Sequence, residues 1–257
     1  MSTFRSAMRL GWIPVALVVV LWTTVLLVLL LHARTKLNLP APPRASSLGS
    51  KSLLPILCNA GSRPPASLAL ALGGSLSAAL VALVVLLEAF RVGGSGSDAL
   101  NVVSVLVGLS CGVGLAVMSV VGVRECPRVH NAAAQVFMVL GVVYMGLNVA
   151  LDQTVDTGIG VGVLWWRTGC ALSSLGLLVV MVVCMYLETL RLQVEQHAPR
   201  RFQEEEEEER PGEQKPKLNK AVTCWAFTQY LSIGVAGVYF LSFCQPFHQH
   251  LVLETRA

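Results

Sequence analysis

Charge is what this sequence has least of. Of its 257 residues, only 13% are Asp, Glu, Lys or Arg, against about 25% in soluble domains. The net charge of +4 is small and scattered, which argues against a nucleic-acid partner. The seven cysteines form no CxxC pair and no cluster with histidine, so neither a zinc centre nor a disulfide scaffold is expected. No GxSxG occurs in a strand-turn-helix setting. The many serines lie in apolar stretches without a paired His and Asp, and acyl-transfer chemistry needs such a base. Gly94-Ser95-Gly96 reads as a flexible turn, not a phosphate loop. No N-x-[ST] sequon is present. The expectation is a chain without catalytic, cofactor-binding or metal-binding residues.

What the sequence does have is long apolar runs. Hydrophobic residues make up 54% of it, and the mean hydropathy is +0.65. A bilayer core about 30 Å thick needs roughly 20 apolar helical residues. Six stretches qualify, at about 11–31, 67–90, 101–123, 131–151, 168–187 and 221–243. They are continuous rather than alternating, and lipid admits only helices or closed barrels. The predicted fold is therefore all-α, an integral membrane six-helix bundle forming one domain over 1–257. The first run is longer than the 7–15 residues of a signal-peptide core, and no small-x-small cleavage site follows it closely. It is read as a retained helix, with a cleaved signal peptide as the alternative. Trp165 and Trp166 precede the fifth run and suit an interfacial belt.

The connections differ in kind. Residues 32–66 are rich in Pro and Ser, 91–100 in Gly and Ser, and 124–130 form a tight turn of Arg, Glu, Pro and His. Residues 191–220 are polar, with glutamate at every position from Glu204 to Glu209. A run of like charge repels itself, so this loop is expected to be disordered. Fourteen Lys and Arg, from Arg34 to Lys220, fall on the first, third and fifth connections. Five (Arg5, Arg9, Arg91, Arg167 and Arg256) fall on the other side. Taken alone, the positive-inside rule then favours both termini outside.

Polar residues within the runs are few. Asn101, Gln135, Asn148 and Gln229 are candidates for interhelical hydrogen bonds, or else for lining a lipid or ion path. Glu88, Asp152 and Glu188 lie near helix ends and are expected to reach the interface. His130 reads as an interfacial histidine that caps or orients the fourth helix. Its functional alternative is a proton-sensitive switch or a contact to a lipid head group. Ser104, Gly108 and Gly112 recur every four residues, so they share a helix face and predict a close helix–helix seam.

The middle of the chain carries a more specific pattern. Asn101, Ser104, Gly108 and Gly114 lie in the third run, Pro127 and His130 in the turn, and Ala134, Gly141 and Tyr144 in the fourth run. Before the second run come Pro55-Ile56 and then Gly61-Ser62-Arg63-Pro64-Pro65-Ala66-Ser67. The last run ends Tyr239-Phe240-Leu241-Ser242-Phe243. In these residues the chain resembles the damage-regulated autophagy modulators and their transmembrane-protein-150 relatives, over about 10–190 and 221–250. It departs from them at Val120-Val121-Gly122, where the family often has Asn-Phe-Gln, and at Thr228-Gln229-Tyr230, where the family has Cys-Glu-Trp. Ala60 stands where a family cysteine often precedes the loop glycine, and Cys58 lies two residues earlier. The pattern is that of a divergent member.

The resemblance implies six helices, cytosolic termini and a luminal or extracellular first loop, the reverse of the charge tally. It also implies a non-catalytic regulator of autophagy or of endolysosomal and plasma-membrane signalling. The expected partners are membrane lipids and membrane or cytosolic proteins, not nucleic acid. An ion-channel subunit or modulator and an intramembrane, GPI-related lipid-remodelling enzyme are the alternatives it brings. On the implied topology, Cys58 and Cys126 share the luminal side, and a Cys58–Cys126 disulfide would pin the Pro-rich loop to the bundle. Two free thiols are the preferred reading, with the disulfide as the alternative.

Overall fold

The computed structural model describes residues 12–38, 57–93, 98–154, 159–197 and 220–244. All regular structure among them is helical: α1 Ile13–Asn38, α2 Leu57–Ala60, α3 Ala66–Val92, α4 Asp98–Val120, α5 Pro127–Thr154, α6 Val161–His197 and α7 Lys220–Leu241. All but α2 are long and apolar enough to cross a membrane. The run lengths account for the helices, because only an internally bonded backbone is stable in lipid.

Several boundaries move from their expected places. α1 continues to Asn38, well past Leu31. α6 begins at Val161, so Trp165 and Trp166 lie inside its first turns, exposed on its outer face. Pro127 and His130 belong to the first turn of α5 rather than to the turn before it. Proline is favoured at the first helical position, where its missing N–H is not needed. Most of the acidic stretch, residues 198–219, lies outside the described residues, while α6 extends to His197.

The spanning helices pack in chain order, from α1 against α3 through to α6 against α7, and α7 closes the ring on α1. Successive helices alternate in direction. The ends of α3 and α5, the starts of α4 and α6 and the end of α7 therefore share one face. The Pro-rich connection, the α4–α5 turn and the start of α7 share the other. Leucine and valine side chains such as Leu30, Leu72, Leu106 and Leu172 point outward and stay exposed, as a lipid-facing surface requires.

The expected seam on α4 is present. Ser104, Gly108 and Gly112 are buried. A Cβ at Gly108 would fall 2.7 Å from Val85 of α3 and 2.8 Å from the Tyr144 ring of α5. At Gly114 it would fall 3.0 Å from the Phe137 backbone nitrogen of α5. Glycine is needed at these two positions because backbone meets a neighbouring helix there.

Candidate functional site

The sequence-predicted residues mostly turn out to fasten helix to helix. Asn101 Nδ2 donates to the Ala89 carbonyl at the end of α3, at 3.2 Å. His130 Nδ1 donates to the Val121 carbonyl just past α4, at 2.8 Å, and the ring is buried. The Val121 bond satisfies a carbonyl that a helix end leaves open, whereas the Ala89 carbonyl also accepts from the Gly93 N–H. Gly108, Gly114, Gly141 and Tyr144 line the α4–α5 interface, and Gly141 sits opposite the Cys111 sulfur. Gly61 closes the short α2 by donating its N–H to Leu57, and Pro64–Pro65 lead into α3. Of the other polar candidates, Gln229 Oε1 accepts from the Leu57 N–H at 3.4 Å. Asn148 bonds only to its own helix, at the Tyr144 carbonyl. Gln135 points outward and is exposed, contrary to expectation.

Cys58 and Cys126 are free thiols, which removes the disulfide and leaves the reading of two unpaired thiols. The reason is where the loop docks. α2 packs on Val28 of α1 and Ala66 of α3, and it is tied to α7 through Gln229. Cys126 instead sits at the α4–α5 turn, its N–H on the Gly122 carbonyl. Burial pushes the Cys58 thiol up to about 11.

The feature that sequence reading missed is a buried charge cluster at the opposite face. Glu88 and Asp152 do not reach the interface. Arg91, in the last turn of α3, donates through Nε to Glu88 at 2.8 Å and through Nη2 to Asp152 of α5 at 3.0 Å. Arg167, near the start of α6, donates through Nη1 to Asp152 at 2.7 Å and to Glu88 at 3.2 Å. Its Nε donates to Ser242, just past α7, at 3.0 Å. The four charged side chains are 0–4% exposed. The Phe243 ring lies 4.0 Å from the Arg167 guanidinium carbon, within cation–π range. Two cations and two anions thus cancel while joining α3, α5, α6 and the end of α7. The Nη2 of Arg167 and the hydroxyls of Tyr144 and Tyr239 are buried without a hydrogen-bond partner.

A signal for this cluster was present. Glu88 and Arg91 stand three apart, a helix ion-pair spacing. Asp152 and Arg167 flank the next connection on the same face. Arg91 and Arg167 entered the charge tally as loop residues, yet both are buried and neutralised.

Above the cluster the ring lines a partly open cavity of about 160 Å³ touched by all six spanning helices and by α2. Leu57, Cys58 and Gln229 roof it toward the α2 face, and Tyr144, Met145 and Phe240 floor it. From Tyr144 to Asp152, α5 descends about 12 Å at 1.5 Å per residue, whereas Phe240 of the floor lies within one turn of Ser242 and Phe243, which touch Arg167. Four of the hydroxyls on the wall are already satisfied, while that of Tyr144 at the floor is not. Thr24 bonds to Val20, Ser119 to Leu115 and Ser232 to Thr228, each on its own helix, and Ser174 reaches the Met145 sulfur. The lining is mostly apolar, with the Tyr144 hydroxyl as its unpartnered polar group. Among the described residues no group of His, Cys, Asp and Glu is arranged to hold a metal ion.

A family model described as the Frag1/DRAM/Sfk1/Cwh43P N-terminal domain matches residues 9–250. No curated protein and no solved structure matches the chain.

Proposed function

The chain belongs to the Frag1/DRAM/Sfk1/Cwh43P family, and from that premise we propose that it is a non-catalytic membrane regulator that organises lipids or partner proteins. The process is autophagy or signalling at endolysosomal or plasma membranes. The observation that supports this most is the state of the buried charges. Glu88 and Asp152 are each held by two arginines. A general acid or base has to be free to exchange a proton with substrate, and these carboxylates are engaged. An ion path lined by charge needs polar groups along its length, whereas these charges sit together at one end beneath an apolar cavity.

The test is reconstitution of the full chain in liposomes, with labelled GPI and ceramide lipids as probes, alongside proximity labelling in cells. No current, no lipid turnover and a reproducible set of neighbours at endolysosomal or plasma membrane are expected. A current carried by this protein alone would overturn the reading in favour of a channel. Turnover lost on Asp152→Asn, in protein that still melts cooperatively, would overturn it in favour of an enzyme.

A further inference from the structure

We propose that Cys184 of α6 and Cys224 of α7 are a modification site, a thiol pair that hydrogen peroxide converts to a reversible disulfide tying the two helices together at the α2 face. The pair stands apart from the charge cluster and from the reading above, and neither depends on it. Three observations converge.

The first is contact. Both residues are free thiols, and the Cys184 sulfur lies within hydrogen-bonding reach of the Cys224 sulfur.

The second is register. α6 and α7 are packed side by side, and they run in opposite directions. The Arg167–Ser242 hydrogen bond, at 3.0 Å, sets their level at the charged face. Cys184 lies 17 residues further along the chain from Arg167, and Cys224 lies 18 residues before Ser242. At 1.5 Å per residue these are about 26 Å and about 27 Å of helix. The two cysteines therefore stand at the same depth.

The third is access. Cys184 is buried in the inward row Cys170, Ser174, Met181 and Cys184 of α6. Cys224 is exposed, one turn after α7 begins at Lys220. A small oxidant meets Cys224 first, with Cys184 held behind it. Cys58 is kept protonated by burial, and the thiolate is the nucleophile, so Cys58 competes poorly for the oxidant.

The Cys224 thiolate attacks one peroxide oxygen and the O–O bond breaks. Hydroxide leaves and takes up the thiol proton as water, giving a sulfenic acid. The Cys184 sulfur then attacks the Cys224 sulfur. The S–S bond forms, the S–O bond breaks, and a second water leaves with the Cys184 proton. Two thiols lose two electrons and two protons, and peroxide is reduced to two waters. A small thiol reverses the bond by exchange. The bond fixes α7 five residues before Gln229, whose side chain holds Leu57 of the roof.

The experiment treats the full chain in lipid nanodiscs with hydrogen peroxide, blocks the remaining thiols with N-ethylmaleimide and maps the unreduced digest by mass spectrometry. A Cys184–Cys224 linked peptide is expected in the wild-type chain, lost on adding dithiothreitol. Cys170 and Cys244 share tryptic fragments with the pair, so the link should persist in Cys170→Ser/Cys244→Ser and vanish in Cys224→Ser. Maleimide labelling of Cys58 should slow on oxidation and recover on reduction. Absence of the link in the wild-type chain, with Cys224 unmodified or carried to sulfinic acid, would overturn the pair. A link joining two copies of the chain, seen as a dimer on a non-reducing gel, would overturn it as well. An unchanged Cys58 rate in fully linked protein would overturn the tie to the roof.

Discussion

The two ends of this bundle are held by opposite means. At one face, four charges on α3, α5 and α6 and a serine after α7 are drawn together with almost no exposed surface. At the other, the ring stays open around a mostly apolar cavity, roofed among the described residues by a four-residue helix and one long hydrogen bond. Buried charge is costly unless its partners are complete, so the charged end has one tight arrangement. Apolar contacts are non-directional, so the cavity end can adjust to what fills it. Rigidity and adaptability are thereby separated along the membrane normal.

The largest effect is expected at the charged end. Arg167→Met leaves two buried carboxylates facing one arginine and should cost about 3–5 kcal/mol. Melting followed by tryptophan fluorescence in detergent would read it. Adding Glu88→Gln restores neutrality, leaving Arg91 with Asp152, and should recover part of the loss, since coupled sites are non-additive. A double variant as unstable as the sum of the two singles would mean that the four charges do not act as a unit.

A middle-sized effect is expected on the seam between the ends. Gly108→Leu meets Val85 and the Tyr144 ring and should cost about 1–3 kcal/mol by overpacking. At Gly141 the added atom of alanine meets only the Cys111 sulfur, at 3.5 Å, so Gly141→Ala should leave the melting temperature nearly unchanged. Equal melting of the two variants would remove the seam from the account.

The smallest effect on stability, and a clear one on chemistry, belongs to the roof. With its thiol pushed up to about 11, Cys58 is almost wholly protonated at neutral pH, and the thiolate is the reactive form. Maleimide labelling of Cys58 at pH 8 should run about two orders of magnitude slower than for a free thiol of pKa about 8.5. It should rise with pH toward 11. Folding holds this proton on, so its small contribution to stability is complete below the unfolded pKa and fades as pH rises through the folded one. Gln229→Leu, which cuts the tie to Leu57, should speed labelling. Fast labelling of the wild-type chain would mean that the roof does not cover Cys58.

Sequence alone determined the class, the number of spans and the order of the helices, because a membrane selects on the length and polarity of contiguous runs. It also determined the α4 seam, since residues four apart on a helix share a face whatever packs against them. The helix ends were less legible. Pro127 and His130 read as turn residues because proline interrupts apolar runs, yet at a first helical position it belongs to the helix. The Cys58–Cys126 pairing followed from shared sidedness, and sidedness does not say which helices a loop lies over. Only the tertiary structure brought Arg167 to Glu88 and Asp152, and Gln229 to Leu57. Those partners stand 79, 15 and 172 positions apart, beyond any local periodicity. A charge near a helix end looks the same in sequence whether it turns out to the interface or inward to a partner. The choice depends on whether neighbouring helices present a complementary charge at the same depth, and only the packed ring decides that.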